Sequence, residues 1–156
     1  MINFRMTIQQ KAKFLITGIG NTLRGDDGIG AYICAVIDTL QLDGVRTLTV
    51  HQLDSDLLDE FLEADHIILT DAFVEGKPVH FYPVKPEDPP PVSSSHHMGV
   101  ATLIQMAKLV YHKELSVMIC AVGGFDFGMK EKLSARAKRN ADKAVKTICD
   151  WIEKSR

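Results

Sequence analysis

A chain of 156 residues, 46% hydrophobic and 24% charged, is the size of one soluble domain with enough apolar material for a real core. Its formal net charge is −2 and its 18 basic residues are scattered, so it lacks the basic stripe of a nucleic-acid binder. No apolar run approaches the roughly 20 residues of a membrane span and no small-residue cleavage site follows the N-terminal segment, so no membrane insertion and a cytoplasmic protein are expected.

Residues 1 to about 12, MINFRMTIQQKA, precede the first strong pattern and read as a ragged extension of a single domain covering 1–156. KFLITGIG then reads as a buried strand ending at glycines, and Ile29, Ile33, Val36, Ile37 and Leu40 recur at helical spacing after Gly28. VRTLTVHQL is expected to be a second strand, DLLDEFLEA a short helix, and HIILTDAF a central strand apolar on both faces. The VEGKP turn is too short for a helical crossover, so VHFYPVK is expected to lie antiparallel beside that strand, at an edge that tolerates Pro83. PEDPPPVSSS reads as an exposed, mobile loop. Val100, Leu103, Ile104, Ala107 and Val110 mark a third helix, LSVMICAVGG a last strand, and Ala137, Ala141, Ala144, Val145, Ile148 and Ile152 a long final helix.

Strands alternating with helices imply an α/β three-layer sandwich, a mostly parallel five-stranded twisted sheet with one antiparallel edge strand and helices on both faces. Ligands bind such sheets beyond the carboxyl ends of the strands, which directs attention to Gly18–Asp27, Asp71–Phe73 and the loops near His96 and Gly123. Cys34, Cys120 and Cys149 form no C-x-x-C pair; they suit neither a disulfide framework nor a thiolate zinc site and are expected to pack in the core.

The glycine stretch GIGNTLRGDDGIG is not a phosphate cradle. Leu23 stands where a dinucleotide fingerprint needs its third glycine, no lysine followed by Ser or Thr closes the stretch, and Asp26 and Asp27 would repel an anion. One aspartate, Asp26, reads as a helix N-cap, while Asp27 is expected to face the cleft. Asp71 ends an apolar strand, where a carboxylate must be capped, paired or bound to a cation. A histidine from His96 or His97, at the start of the third helix, would complete a site for a divalent transition metal with open positions. Ser93–Ser95 lie beside these histidines, but a proline-rich loop gives little support to a serine nucleophile. In GGFDFG, after the last strand, Gly123 and Gly124 let the backbone turn sharply and approach a ligand closely, and Phe125 and Phe127 are expected to present apolar surface on one side, with Asp126 turned to solvent on the other.

GIGNTLRGDDGIGAYICAVI, LTDAF, SSSHHMG and GGFDFGMKEKLSARA, in this order over residues 13–152, resemble the nickel-iron hydrogenase maturation proteases. The resemblance implies a cytoplasmic endopeptidase that removes the C-terminal extension of a hydrogenase large-subunit precursor after nickel insertion. It implies Asp27, Asp71 and His96 as the metal-contacting residues, His96 being chosen because it stands three residues before Gly99. It also implies Asp27 and Asp71 as the catalytic carboxylates, in one of two forms: the metal activates the water with one of them as base, or the nickel serves as a recognition handle that positions only the loaded precursor. Nickel would be carried by the precursor, with no organic cofactor and the protease a monomer. VHQLDSDLL replaces the glycine-rich segment that many members carry after the second strand, a region tied to partner choice. Two alternatives stand beside this reading: a non-catalytic nickel-handling or scaffold protein of hydrogenase assembly, and a nucleotide-binding domain.

Overall fold

All six residues of Phe14–Ile19 (β1) are buried, as an apolar run held between two helical layers must be. The computed structural model describes residues 13–74, 77–85 and 99–156. Within them, β1 is followed by a 3-10 turn (Gly25–Gly28), α1 (Ile29–Thr39), β2 (Val45–Val50), α2 (Leu57–Leu62), β3 (His66–Phe73), β4 (Val79–Pro83), α3 (Val100–Tyr111), β5 (Ser116–Gly123) and α4 (Ala135–Ser155). The five strands form one sheet in the order β2-β1-β3-β5-β4, parallel throughout except for β4. This is the expected three-layer architecture. Residues 1–12 and the PEDPPPVSSS loop lie outside the described residues, and no described helix is long and apolar enough to cross a membrane.

Strand alternation divides the core in two. Phe14, Ile16, Ile68, Cys120 and Val122 face α1 and α4, whereas Leu15, Ile19, Ile67, Leu69 and Ile119 face α2 and α3. The six apolar positions expected on α4 are all buried, and Ser134 caps this helix by accepting the Ala137 N–H at 3.2 Å.

Three expectations are corrected. β4 is an antiparallel edge strand, but it pairs with β5, not β3: Phe81 sits opposite Cys120 and Pro83 opposite Met118. Five residues between Phe73 and Val79 suffice to pass over the end of β5, two strand spacings being only about 10 Å. Gly123 and Gly124 lie beneath this crossing, donating to Pro78 O at 3.0 Å and Phe73 O at 2.9 Å. Val110 is exposed, because the last turn of α3 leaves the core before His112 ends it in a left-handed conformation. Cys34 and Cys120 are buried, and burial pushes both thiols up to about 12, but Cys149 on α4 is only half-buried.

α1 lies against β1 and β3 with no room for a side chain at Gly30. A Cβ there would fall 2.7 Å from Ile19 N, 2.8 Å from Thr70 O and 2.9 Å from Gly18 Cα. All three atoms are backbone, so the helix would have to lift off the sheet. Gly30→Ala is expected to destabilise the fold by about 3 kcal/mol, read as a lower urea midpoint at unchanged m-value.

Candidate active site

The chain turns from β1 through α1 to one side of the sheet and through α2 to the other, so β1 and β3 flank the switch point where α/β sheets open a crevice. Two carboxylates enter that crevice. Asp71 lies two residues before the end of β3, opposite Ala121 of β5, shares its face with Ile67 and Leu69, and has no solvent-accessible surface. Its Oδ1 accepts the N–H of Ala72 at 2.7 Å. Asp27 lies in the 3-10 turn after β1, is 6% exposed, and accepts the N–H of Asn21 through Oδ2 at 2.7 Å.

The two carboxylates sense each other. Burial, and after it the charge of Asp27, pushes the Asp71 carboxyl up to about 8, against the lowering effect of the Ala72 N–H. A pair of this kind holds one proton near neutrality, so the crevice is built to receive positive charge, either a proton or a cation. It is hostile to phosphate, which removes the physical basis for nucleotide binding. The starts of α1 and α4 lie at this rim, because each follows a parallel strand that ends there, and Gly99, which opens α3, lies beside Leu53, Asp54 and Ser55, just past the end of β2.

Asp26 was expected to cap a helix next to it in sequence, but it ties together two distant segments. Its carboxylate is fully buried. Oδ2 accepts the N–H groups of Phe125 at 2.7 Å and Asp126 at 2.9 Å, together with the Ser134 hydroxyl at 2.8 Å, and Oδ1 accepts the Ser134 N–H at 2.7 Å. Its own N–H donates to Asp126 O at 2.7 Å. Burial opposes ionisation, but the three backbone donors and the hydroxyl outweigh it and hold the Asp26 carboxyl below its ordinary value. This clasp binds the loop after β5, and the start of α4, to the turn that carries Asp27. The glycines around it serve close approach: a Cβ on Gly20 (φ +138) would fall 2.1 Å from Asp27 O, and one on Gly25 (φ +54) 2.3 Å from Asp126 O. Ser134 could have been recognised as a helix cap from its place before ARAKR; its bond to Asp26, 108 residues away, has no local signature.

The remaining candidates distribute as follows. Gly123 and Gly124 are buried at the end of β5, and Phe125 is exposed with the Arg136 guanidinium 4.2 Å over its ring. Phe127 instead packs against the core, so the two rings do not form one apolar side. Asp126 accepts the Gly128 N–H at 3.0 Å and pairs with Lys130 at 2.6 Å, turned from the crevice. His96 and His97 lie outside the described residues; Gly99, which opens α3, stands on the Asp71 side of the sheet. Asp27 and Asp71 are thus brought together, and among the described residues no three His, Cys, Asp or Glu side chains converge on a metal-sized site.

Comparison with known proteins identifies the family and the fold. The profile of a family described as hydrogenase maturation protease matches residues 52–151, a span that begins beyond the glycine stretch and so is independent of it. Two provisionally named hydrogenase maturation proteases of Methanocaldococcus jannaschii are each 26% identical to the chain. One alignment covers 90% of this chain and 89% of the relative, the other 93% and 99%. Among solved structures, the hydrogenase maturating endopeptidase HybD from E. coli has a TM-score of 0.75 at 19% identity, covering 92% of this chain and 93% of that one. HybD from Thermococcus kodakarensis gives 0.73 at 22%, covering 89% and 98%. At these identities the structural likeness speaks for the fold.

Proposed function

Because the chain belongs to the hydrogenase maturation protease family, we propose that it is the endopeptidase that removes the C-terminal extension of a nickel-iron hydrogenase large-subunit precursor once nickel has been inserted. The observation that carries the proposal is the buried, mutually repelling pair Asp27 and Asp71 at the switch point of the sheet. In this reading nickel belongs to the substrate. A loaded precursor presents a cation that the pair is arranged to accept, and that match positions the adjacent peptide bond while an empty precursor is left uncut. Asp27 and Asp71 supply two oxygen donors, and His96 supplies a third donor on the strength of the family resemblance.

For hydrolysis, one carboxylate of the pair withdraws a proton from the attacking water and returns it to the departing amide nitrogen as the C–N bond breaks, while the other stays on the cation. Gly123, Gly124 and Phe125, clasped to the same turn by Asp26, border the extended substrate segment. The direct test is mass spectrometry of the large-subunit precursor, loaded with nickel or left empty, after incubation with the protein. Loss of the extension from the loaded form alone is expected. An intact loaded precursor would overturn the protease reading and leave the scaffold reading.

His96→Ala is expected to slow processing by about tenfold or more relative to His97→Ala, because removing even a group that supports a metal ligand costs that much. Initial rates on the loaded precursor decide; the opposite ranking moves the role to His97.

A further inference from the structure

Of the eight large apolar side chains exposed among the described residues, four stand on the segments bonded to the Asp27 turn or just past the end of β3: Leu23 (50% exposed), Val74 (71%), Phe125 (46%) and Met129 (87%). Exposed apolar side chains scattered singly need no explanation, but four on loops bonded to one another do. They are locked into one surface by backbone bonds. Lys130 N–H donates to Leu23 O at 3.1 Å and Gly25 N–H to Lys130 O at 2.7 Å, which sets Leu23 beside Met129. Gly124 N–H donates to Phe73 O, which brings Val74 beside Phe125, and the Asp26 clasp joins both pairs to the Asp27 turn.

The surface continues past Thr22 into an open pocket of about 460 Å³ between the glycine turn, α1 and the start of α4, with Tyr32, Glu131, Lys132, Leu133 and Lys138 in its walls. Gly28 forms part of its floor. The fold does not demand glycine there: φ is −82°, and an added Cβ would meet nothing closer than 3.4 Å. What its bareness preserves is space. The local charge is positive, since residues 130–139 hold Lys130, Lys132, Arg136, Lys138 and Arg139 against the single acid Glu131, in a chain whose net charge is −2.

We propose that this collar and pocket form the docking face for the precursor segment that is cut, deepening the protease reading and resting on it. Apolar residues flanking the scissile bond lie against Leu23, Val74, Phe125 and Met129, and an acidic side chain of the same segment enters the pocket between Lys132 and Lys138. A central apolar contact rimmed by charge is the usual division of work in a polypeptide interface: the first supplies affinity, the second register and salt dependence.

The test measures binding of nickel-loaded precursor by biolayer interferometry and its cleavage kinetics for four variants and the wild type. Leu23→Ser/Met129→Ser is expected to raise both Kd and KM about tenfold, the loss of one good apolar anchor, with a much smaller change in kcat. Gly28→Leu, which fills the pocket, is expected to do the same. Lys132→Glu/Lys138→Glu should weaken binding and abolish its dependence on ionic strength. Leu109→Ser/Tyr111→Ser, at the exposed far end of α3, serves as the control and should leave Kd and KM unchanged. Unchanged Kd and KM in the collar and pocket variants would overturn the docking face and leave the protease reading standing. Wild-type binding without cleavage would overturn the protease reading, and the docking face would then be judged on Kd alone; absence of wild-type binding would remove both.

Discussion

Asp71→Asn is expected to yield a folded protein whose processing rate falls by about 10²–10⁴-fold, the range for loss of a positioned acid or base. The substitution keeps the size of the side chain and an oxygen to accept the Ala72 N–H, while removing the ability to hold and release a proton. Its effect on stability should run the other way. The folded-state pKa of Asp71, about 8, lies above the ordinary value of 3.8, so the folded protein binds the extra proton. This group's stabilising contribution is complete below pH ~4 and is lost as pH rises towards 8. Asparagine has no such slope. In metal-free protein, urea titrations at several pH values should therefore show the variant gaining on the wild type between pH 4 and 8. Asp27→Ala should abolish processing equally, with a modest cost to the turn that includes the Asn21 N–H bond. Processing at the wild-type rate by either variant would remove that residue from the mechanism.

Asp26→Ala is expected to lose both fold and activity. Four donors lose their acceptor at once, three of them backbone N–H groups, at a site with no solvent access. Each buried donor left unmade costs on the order of 1–3 kcal/mol, partly relieved if water enters the space, so a total loss of about 3–5 kcal/mol is expected. Urea denaturation measures it, and a loss below about 1 kcal/mol would show that the clasp is not needed. The pH signature distinguishes Asp26 from Asp71. Its folded-state pKa is lowered, so its contribution is present above pH ~4 and lost as pH falls through that lower value. The two aspartates thus tilt stability in opposite directions, in separate pH windows.

Much of this site is legible in sequence because it is local. Asp27 stands in the glycine turn that follows an apolar strand and Asp71 near the end of another, and the helical spacing of Ala137, Ala141, Ala144, Val145, Ile148 and Ile152 has only one reading. What was not legible depends on distant partners. The short turn after Phe73 implied that β3 and β4 touch, and nothing within 66–83 reveals that β5 slips between them. Asp26 resembles a cap to any reader of its neighbours, since Phe125, Asp126 and Ser134 lie about a hundred residues away. Val110 follows the apolar spacing of α3 but falls on a turn that runs beyond the core.

The position of β5 also dates the moment at which a growing chain can acquire activity. β3 and β4 leave the ribosome first, yet their common neighbour is a strand from the last third of the protein, and the turn bearing Asp27 is fastened only by residues 125–134. Pairings over such separations form late. A nascent chain released before Ser134 would hold both carboxylates of the pair without the frame that sets them against each other. The architecture therefore keeps the paired-carboxylate site unassembled until synthesis is nearly complete.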